Sequence, residues 1–303
     1  VTARLLDLDG AFDLQPDLVA ESGRIDARDL GPALRLWSRP AALQVLDLRV
    51  REALNGSGPA LVFAGSGDFH HVSALLIRRA ADTAPERRMT VLHFDNHPDW
   101  VRFSPGMHCG SWAAKVARFS GVRQVISVAM CSPDMEGSAR KGADLSVVRE
   151  GLLTPFPLRA GAREECVVAG RRILTIETLG DALFLEHVDR MIGSDDVYIT
   201  IDKDVLSPLD AVTNWDQGDL RLSRLIGWMA HLLDGRRLRG ADIVGDASLP
   251  VYGPGLFASV LKRVEAAIDQ PWQVQLDTES VRINAAANRQ LRDCLLPHIR
   301  RAS

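Results

Sequence analysis

Short, continuously apolar runs recur along this chain, and a longer amphipathic stretch follows most of them. The runs cover residues 60–64, 90–94, 124–128, 173–176, 197–201 and 241–244. They are rich in Val and Ile and lack polar alternation, as expected of parallel strands buried on both faces. Helical spacing of apolar residues predicts helices over 72–82, 111–119, 179–192, 220–233, 256–268 and 280–297. Strand then helix, repeated in this way, implies an α/β fold with a parallel sheet covered by helices on both sides. Ligands of such sheets bind beyond the carboxyl ends of the strands.

The 303 residues, 46% of them hydrophobic, suffice for one large core, and a single domain over 1–303 is expected. Residues 135–171 are richer in Gly, Arg and Glu and read as an insertion or a lid. A formal net charge of only −3 and no basic stripe argue against a nucleic-acid partner. No apolar run reaches the ~18 residues that span a bilayer. The first residues lack the apolar core of a signal peptide, and the four cysteines show no CxxC spacing. Reduced thiols in a cytoplasmic protein are the expectation.

The chemistry concentrates where strands end. Asp95, His97 and Asp99 stand at alternate positions directly after the apolar run 90–94, and Asp202 and Asp204 close another. Alternate positions share a side, so these groups can converge on one centre. Carboxylates closing buried strands are costly unless compensated. With one histidine of the run Gly65-Ser66-Gly67-Asp68-Phe69-His70-His71, the candidate ligands number four carboxylates and two imidazoles. So much negative charge calls for two divalent ions sharing carboxylates. A paired site lowers the pKa of a bridging water toward neutrality and supplies hydroxide without a strong base. Oxygen-rich ligation with some imidazole and no thiolate favours manganese over zinc.

These pieces, in order and approximate spacing from Gly65 to Asp246, resemble the arginase (ureohydrolase) family, which includes agmatinases and formiminoglutamases. That family carries Gly-Gly-Asp-His-Ser, Asp-Ala-His-x-Asp, a histidine soon followed by glycine, and Ser-x-Asp-x-Asp-x-x-Asp-Pro. The resemblance implies an arginase-like three-layer α/β/α sandwich with a mostly parallel sheet. It implies a hydrolase of guanidino, amidino or related small molecules that cleaves a C–N bond with metal-bridging hydroxide and two Mn2+ or other divalent ions. It also implies a homo-oligomer. His70, Asp95, His97, Asp99, Asp202 and Asp204 would bind metal, Asp99 would also serve catalysis, and His108 would be the active-site proton shuttle.

Departures from the family pattern bear on the substrate. An extra residue in Asp68-Phe69-His70-His71 leaves His70 or His71 as ligand, with His70 nearer the strand end. The final Asp-Pro is Ser207-Pro208, and the guanidinium-binding glutamate falls at Gly245, with Asp246 one position later as a shorter substitute for substrate binding. Trp100 and Trp215 are expected to wall a pocket for a flat or cationic group. His93 is expected in the core or behind the ligands, Cys109 as an inert thiol, and Lys203 facing away from its two aspartates. Three other readings compete. A non-catalytic or regulatory protein of this fold would explain Gly245, and a single-metal deacetylase-like hydrolase would use fewer ligands. A metallophosphoesterase would use Gly67-Asp68 and Asn96-His97 but lacks its early Asp-x-His and late Gly-His-x-His.

Overall fold

The computed structural model describes residues 2–136, 142–159, 164–193, 195–253, 255–270 and 276–302. The strands are β1 (Arg4–Asp7), β2 (Gly23–Asp26), β3 (Trp37–Ser38), β4 (Leu61–Phe63), β5 (Met89–Phe94), β6 (Met107–His108), β7 (Val122–Val128), β8 (Leu153–Phe156), β9 (Glu165–Val168), β10 (Arg171–Leu174), β11 (Asp196–Asp202) and β12 (Leu238–Val244). The helices are α1 (Pro16–Ala20), α2 (Gly31–Leu34), α3 (Pro40–Ala53), α4 (Ser73–Asp82), α5 (Trp112–Val116), α6 (Ser146–Arg149), α7 (Ile176–Leu179), α8 (Asp181–Ile192), α9 (Leu222–Leu232), α10 (Leu256–Asp269) and α11 (Thr278–Ala302).

Eight strands form one sheet in the order β2-β1-β4-β12-β11-β5-β7-β8, with every pairing parallel. Every residue of β5 and of β11 is buried, which explains why these runs lack a polar face. Side chains alternate between two cores. Val91 and Tyr198 join Leu46, Ile77 and Val116 under α3, α4 and α5, whereas Leu92, Ile199 and Ile201 join Phe184, Trp228 and Leu291 under α8, α9 and α11. The result is the α/β/α sandwich expected from the strand–helix alternation.

Differences from that expectation have local causes. Residues 173–176 do not enter the main sheet; β10 pairs antiparallel with β9 as a small ribbon, and α7 follows. No residue of β10 is buried: Arg171, Arg172 and Leu174 are exposed and Ile173 is half-buried, as suits a surface ribbon and not a central strand. Helix α3 was not foreseen, although Pro40 begins it and Leu43, Leu46 and Val50 share its buried stripe. Within 135–171, β8 is the edge strand of the sheet beside β7. Residues 137–141 and 160–163 of that stretch lie outside the described residues.

Strands β4, β12, β11 and β5 are parallel neighbours in the middle of the sheet, so the chain segments leaving β4, β11 and β5 emerge together at its carboxyl end. After β4 the chain coils into a tight helical turn over Gly67–Val72, which is entirely buried and carries His70. After β11 a shorter turn, Lys203–Val205, is capped by the Asp202 carboxylate accepting from the Asp204 N–H at 3.1 Å.

Candidate metal centre

The polar side chains from these three strand ends converge. His70 Nδ1 lies 3.0 Å from Asp95 Oδ2, 3.3 Å from Asp99 Oδ2 and 3.6 Å from Asp202 Oδ2. His97 Nδ1 lies 3.0 Å from Asp204 Oδ2 and 3.5 Å from Asp95 Oδ1. His70, His93, Asp95 and Asp99 therefore form one potential ligand group, and Asp95, His97 and Asp204 another; within each, one ligand atom per residue lies within 4.8 Å of the others. Asp95 belongs to both. Of His70 and His71, only His70 falls within a potential ligand group among the described residues. His71 is wholly buried, and neither of its ring nitrogens has a hydrogen-bond partner among the described residues.

Neighbouring groups hold this arrangement. Trp112 Nε1 donates to Asp99 Oδ2 at 2.5 Å, and the indole lies against both imidazoles, 4.8 Å from His70 and 5.0 Å from His93 between ring centres. Asp99 sits at φ 47°, a left-handed conformation that aspartate tolerates better than most residues. A methyl group on Gly67 would come within 2.5 Å of Asp202 Oδ2, so glycine leaves the room this carboxylate occupies. The Asn96 N–H donates to Asp204 Oδ1 at 3.0 Å, and Asp216 Oδ1 meets His97 Nε2 at 2.9 Å.

The electrostatics are those of a crowded, dry anionic site. Burial pushes Asp99 up to about 7 and Asp202 up to about 6, with the charge of Asp95 adding to both. Burial also raises Asp204, helped by Asp202 and Asp95. Asp95 is the exception: burial opposes its charge, but hydrogen bonds from His70, His93 and His97 outweigh it and hold the group well below the usual carboxylate range. His70 and His97 are likewise raised against the effect of burial, by Asp95 and Asp99 for one and Asp204 for the other. Four carboxylates this close, in a place water hardly enters, fit divalent cations of hard or borderline character. Cys109 belongs to neither ligand group, and burial pushes its thiol well up.

The cluster forms the floor of a cavity of about 540 Å3. His108, Trp100 and Trp215 line it, and so do four carboxylates not foreseen, Asp134, Asp216, Glu265 and Asp269. Trp100 is almost wholly buried, whereas Trp215 is anchored by its Nε1 donating to Asp68 Oδ1 at 2.9 Å and stands edge-on to His97. His93 falls within the first of these potential ligand groups, with its Nε2 2.9 Å from Asp95 Oδ2 and its Nδ1 3.0 Å from Ser127 Oγ. Its position two residues before Asp95 was the available signal.

Asp246 corrects the sequence-based expectation. It does not line this cavity. It is buried on the other side of the β11 end, with its Oδ1 2.9 Å from Lys203 Nζ and 2.8 Å from Gln15 Nε2. Lys203 faces away from the cluster as alternation requires, and donates to Asn288 Oδ1 at 2.9 Å as well.

The sequence model of the Arginase family matches residues 7–247. A Thermotoga maritima protein described as uncharacterized is 25% identical over 186 residues, which are 61% of this chain and 58% of that protein. This chain thus spans less than two thirds of that relative's length. Among solved structures, formimidoylglutamase from Bacillus subtilis superimposes with a TM-score of 0.55 at 12% identity, covering 95% of this chain and 87% of that one. Arginase from Bacillus caldovelox gives 0.52 at 15% identity, covering 91% and 100%. At such identities the structural likeness speaks for the fold.

Proposed function

The chain belongs to the arginase family, and from that premise we propose that it is a metal-dependent hydrolase cleaving a C–N bond of a guanidino, amidino or related small molecule. The observation that carries the reading is the pair of His/Asp groups sharing Asp95 at the floor of the cavity. His70, His93, Asp95 and Asp99 would hold one ion, and Asp95, His97 and Asp204 the other, with Asp202 beside both. Manganese is the first ion to test, because the donors are oxygen and imidazole without thiolate. Two such ions would lower the pKa of a shared water toward neutrality and polarise the electrophilic carbon.

The protein's own groups prepare that chemistry. His70 Nε2 lies 3.0 Å from Thr200 Oγ1, and Thr200 donates to Asp242 Oδ1 at 2.8 Å. This chain keeps the ring proton on Nε2 and presents Nδ1 as the donor atom. Asp216 does the same for His97, accepting at Nε2 while Nδ1 faces Asp204. Trp100, Trp215 and Phe103 restrict water around the cavity. His108 reaches its wall with one ring nitrogen already engaged: the Gly110 N–H donates to Nδ1 at 2.8 Å. The ring therefore carries its proton on Nε2, where it meets Glu265 Oε1; a departing amine would receive it by displacing that carboxylate.

The cavity has mainly acidic polar walls, which suits a cationic guanidinium or amidinium group better than an anion. A cytoplasmic, self-associating protein is part of the same proposal; no helix among the described residues is long and apolar enough to cross a membrane. Arginine, agmatine and formimidoyl-glutamate, each incubated with manganese-loaded protein and assayed for urea, ammonia or formamide, form the first panel. Turnover abolished by chelation and restored by manganese supports the reading. A loaded cluster with no turnover on an extended panel of guanidines and amidines would favour a regulatory protein of this fold.

A further inference from the structure

The chain leaving β12 offers the cavity no carboxylate. Gly245 stands at φ 95°, and a methyl group there would come within 2.6 Å of Asp202 Oδ1 and 2.7 Å of the Lys203 nitrogen. No side chain fits. Asp246, the next residue, is spent on Lys203, Gln15 and Asn288. Yet His108 does meet a carboxylate, and it comes from elsewhere: Glu265 of α10, a helix beyond the residues that match the family.

The contact is built from both sides. His108 Nδ1 is occupied by the Gly110 N–H, so the proton on Nε2 is directed at Glu265 Oε1. The other oxygen of Glu265, Oε2, accepts from Trp37 Nε1 at 2.9 Å. Lys262, one turn earlier on α10, lies over the Trp37 ring with its Nζ 4.5 Å from the centre. Glu265 is thereby fixed at both oxygens. Its side chain keeps 25% of its surface and that of His108 15%, and both line the cavity.

We propose that Glu265 is the positioning residue for His108: with the Nε2–H form set by the Gly110 N–H, it anchors the ring and orients that proton at the cavity wall. α10 thus supplies from outside the matched region the carboxylate that Gly245 excludes. The inference rests on the hydrolase reading only in giving His108 a catalytic task; the pairing itself is independent of it.

The test uses 15N-labelled full-length protein supplied with zinc, which is diamagnetic. Wild type should show a neutral Nε2–H His108 whose ring proton exchanges slowly with water. Glu265→Ala should accelerate that exchange at least tenfold, and Glu265→Gln, which keeps an acceptor oxygen, should restore slow exchange. On any C–N substrate that turns over, Glu265→Ala should lower kcat ~100-fold with KM changed less than threefold, and Glu265→Gln should recover most of the loss. A wild-type His108 with an Nδ1–H ring, or with fast exchange, overturns the proposal even if Glu265→Ala fails to fold. Equal exchange in wild type and Glu265→Ala also overturns it, as does a loss confined to KM. If no substrate turns over, the exchange measurement still decides the pairing, so failure of the hydrolase reading is separable from failure of this one.

Discussion

The Nε2 of His70 and the hydroxyl of Thr200 lie 3.0 Å apart, and the same hydroxyl reaches Asp242 Oδ1 at 2.8 Å. Asp242 is fully buried and also accepts from Ser73 Oγ and Tyr198 OH, at 2.6 and 2.8 Å. A buried carboxylate thus directs one hydroxyl, which sets one imidazole. Thr200→Val keeps the shape and removes the link. Manganese affinity is expected to fall about 10–100-fold, the usual effect of losing such an outer partner, with little change in the circular dichroism spectrum. Unchanged affinity in a calorimetric titration would detach Thr200 from the site.

The Lys203–Asp246 pair is a matter of stability and not of substrate. Both side chains are buried, at 2.9 Å, and burial pulls the Lys203 ammonium down while Asp246 opposes that. Removing one partner leaves the other charge buried and alone. Asp246→Ala should destabilise the fold by roughly 3–5 kcal/mol in urea denaturation, and Lys203→Met with Asp246→Leu should recover much of that. If Asp246→Ala instead left stability intact and abolished binding of a cationic substrate, Asp246 would belong to the cavity after all.

Metal binding and pH should be linked with a defined sign. In the metal-free fold, Asp99 is raised to about 7 and Asp202 to about 6, and His70 and His97 are raised too. These groups hold protons that the unfolded chain releases near pH 4 for the carboxyls and 6.5 for the imidazoles. Their contribution to stability is present at low pH and is lost as pH rises through those folded-state values. Asp95, held low, runs the other way but is one group against several. Cations replace the protons, so the Tm gap between manganese-loaded and metal-free protein should widen from pH 5 to pH 7.5. A gap that narrows over that range would contradict the assignment.

Much of the site was legible because it is local. Asp95, His97 and Asp99, and Asp202 and Asp204, are set by alternation at the ends of buried runs; the structure brings all but Asp202 into the two ligand groups and leaves Asp202 3.6 Å from His70 Nδ1. His70 was readable only as one of two neighbours, since a single turn of helix decides which ring points inward. Glu265 and Asp216 were not readable. Each meets its histidine across more than a hundred residues, and neither sits in a pattern that marks it. Asp246 misled for the opposite reason. Adjacent to Gly245 in sequence, it is carried to the far side by that glycine's left-handed turn. The sheet was legible through its central strands, whereas the two-residue strands β3 and β6 and the four-residue β8 are too short for periodicity to declare them.

The most direct test of the account is metal content per chain after reconstitution with manganese, in wild type and Asp95→Asn. Because Asp95 is the one residue common to both ligand groups, wild type should retain close to two ions and Asp95→Asn should lose both, with its fold intact. One ion or none in wild type, or two retained without the Asp95 carboxylate, would contradict the paired centre.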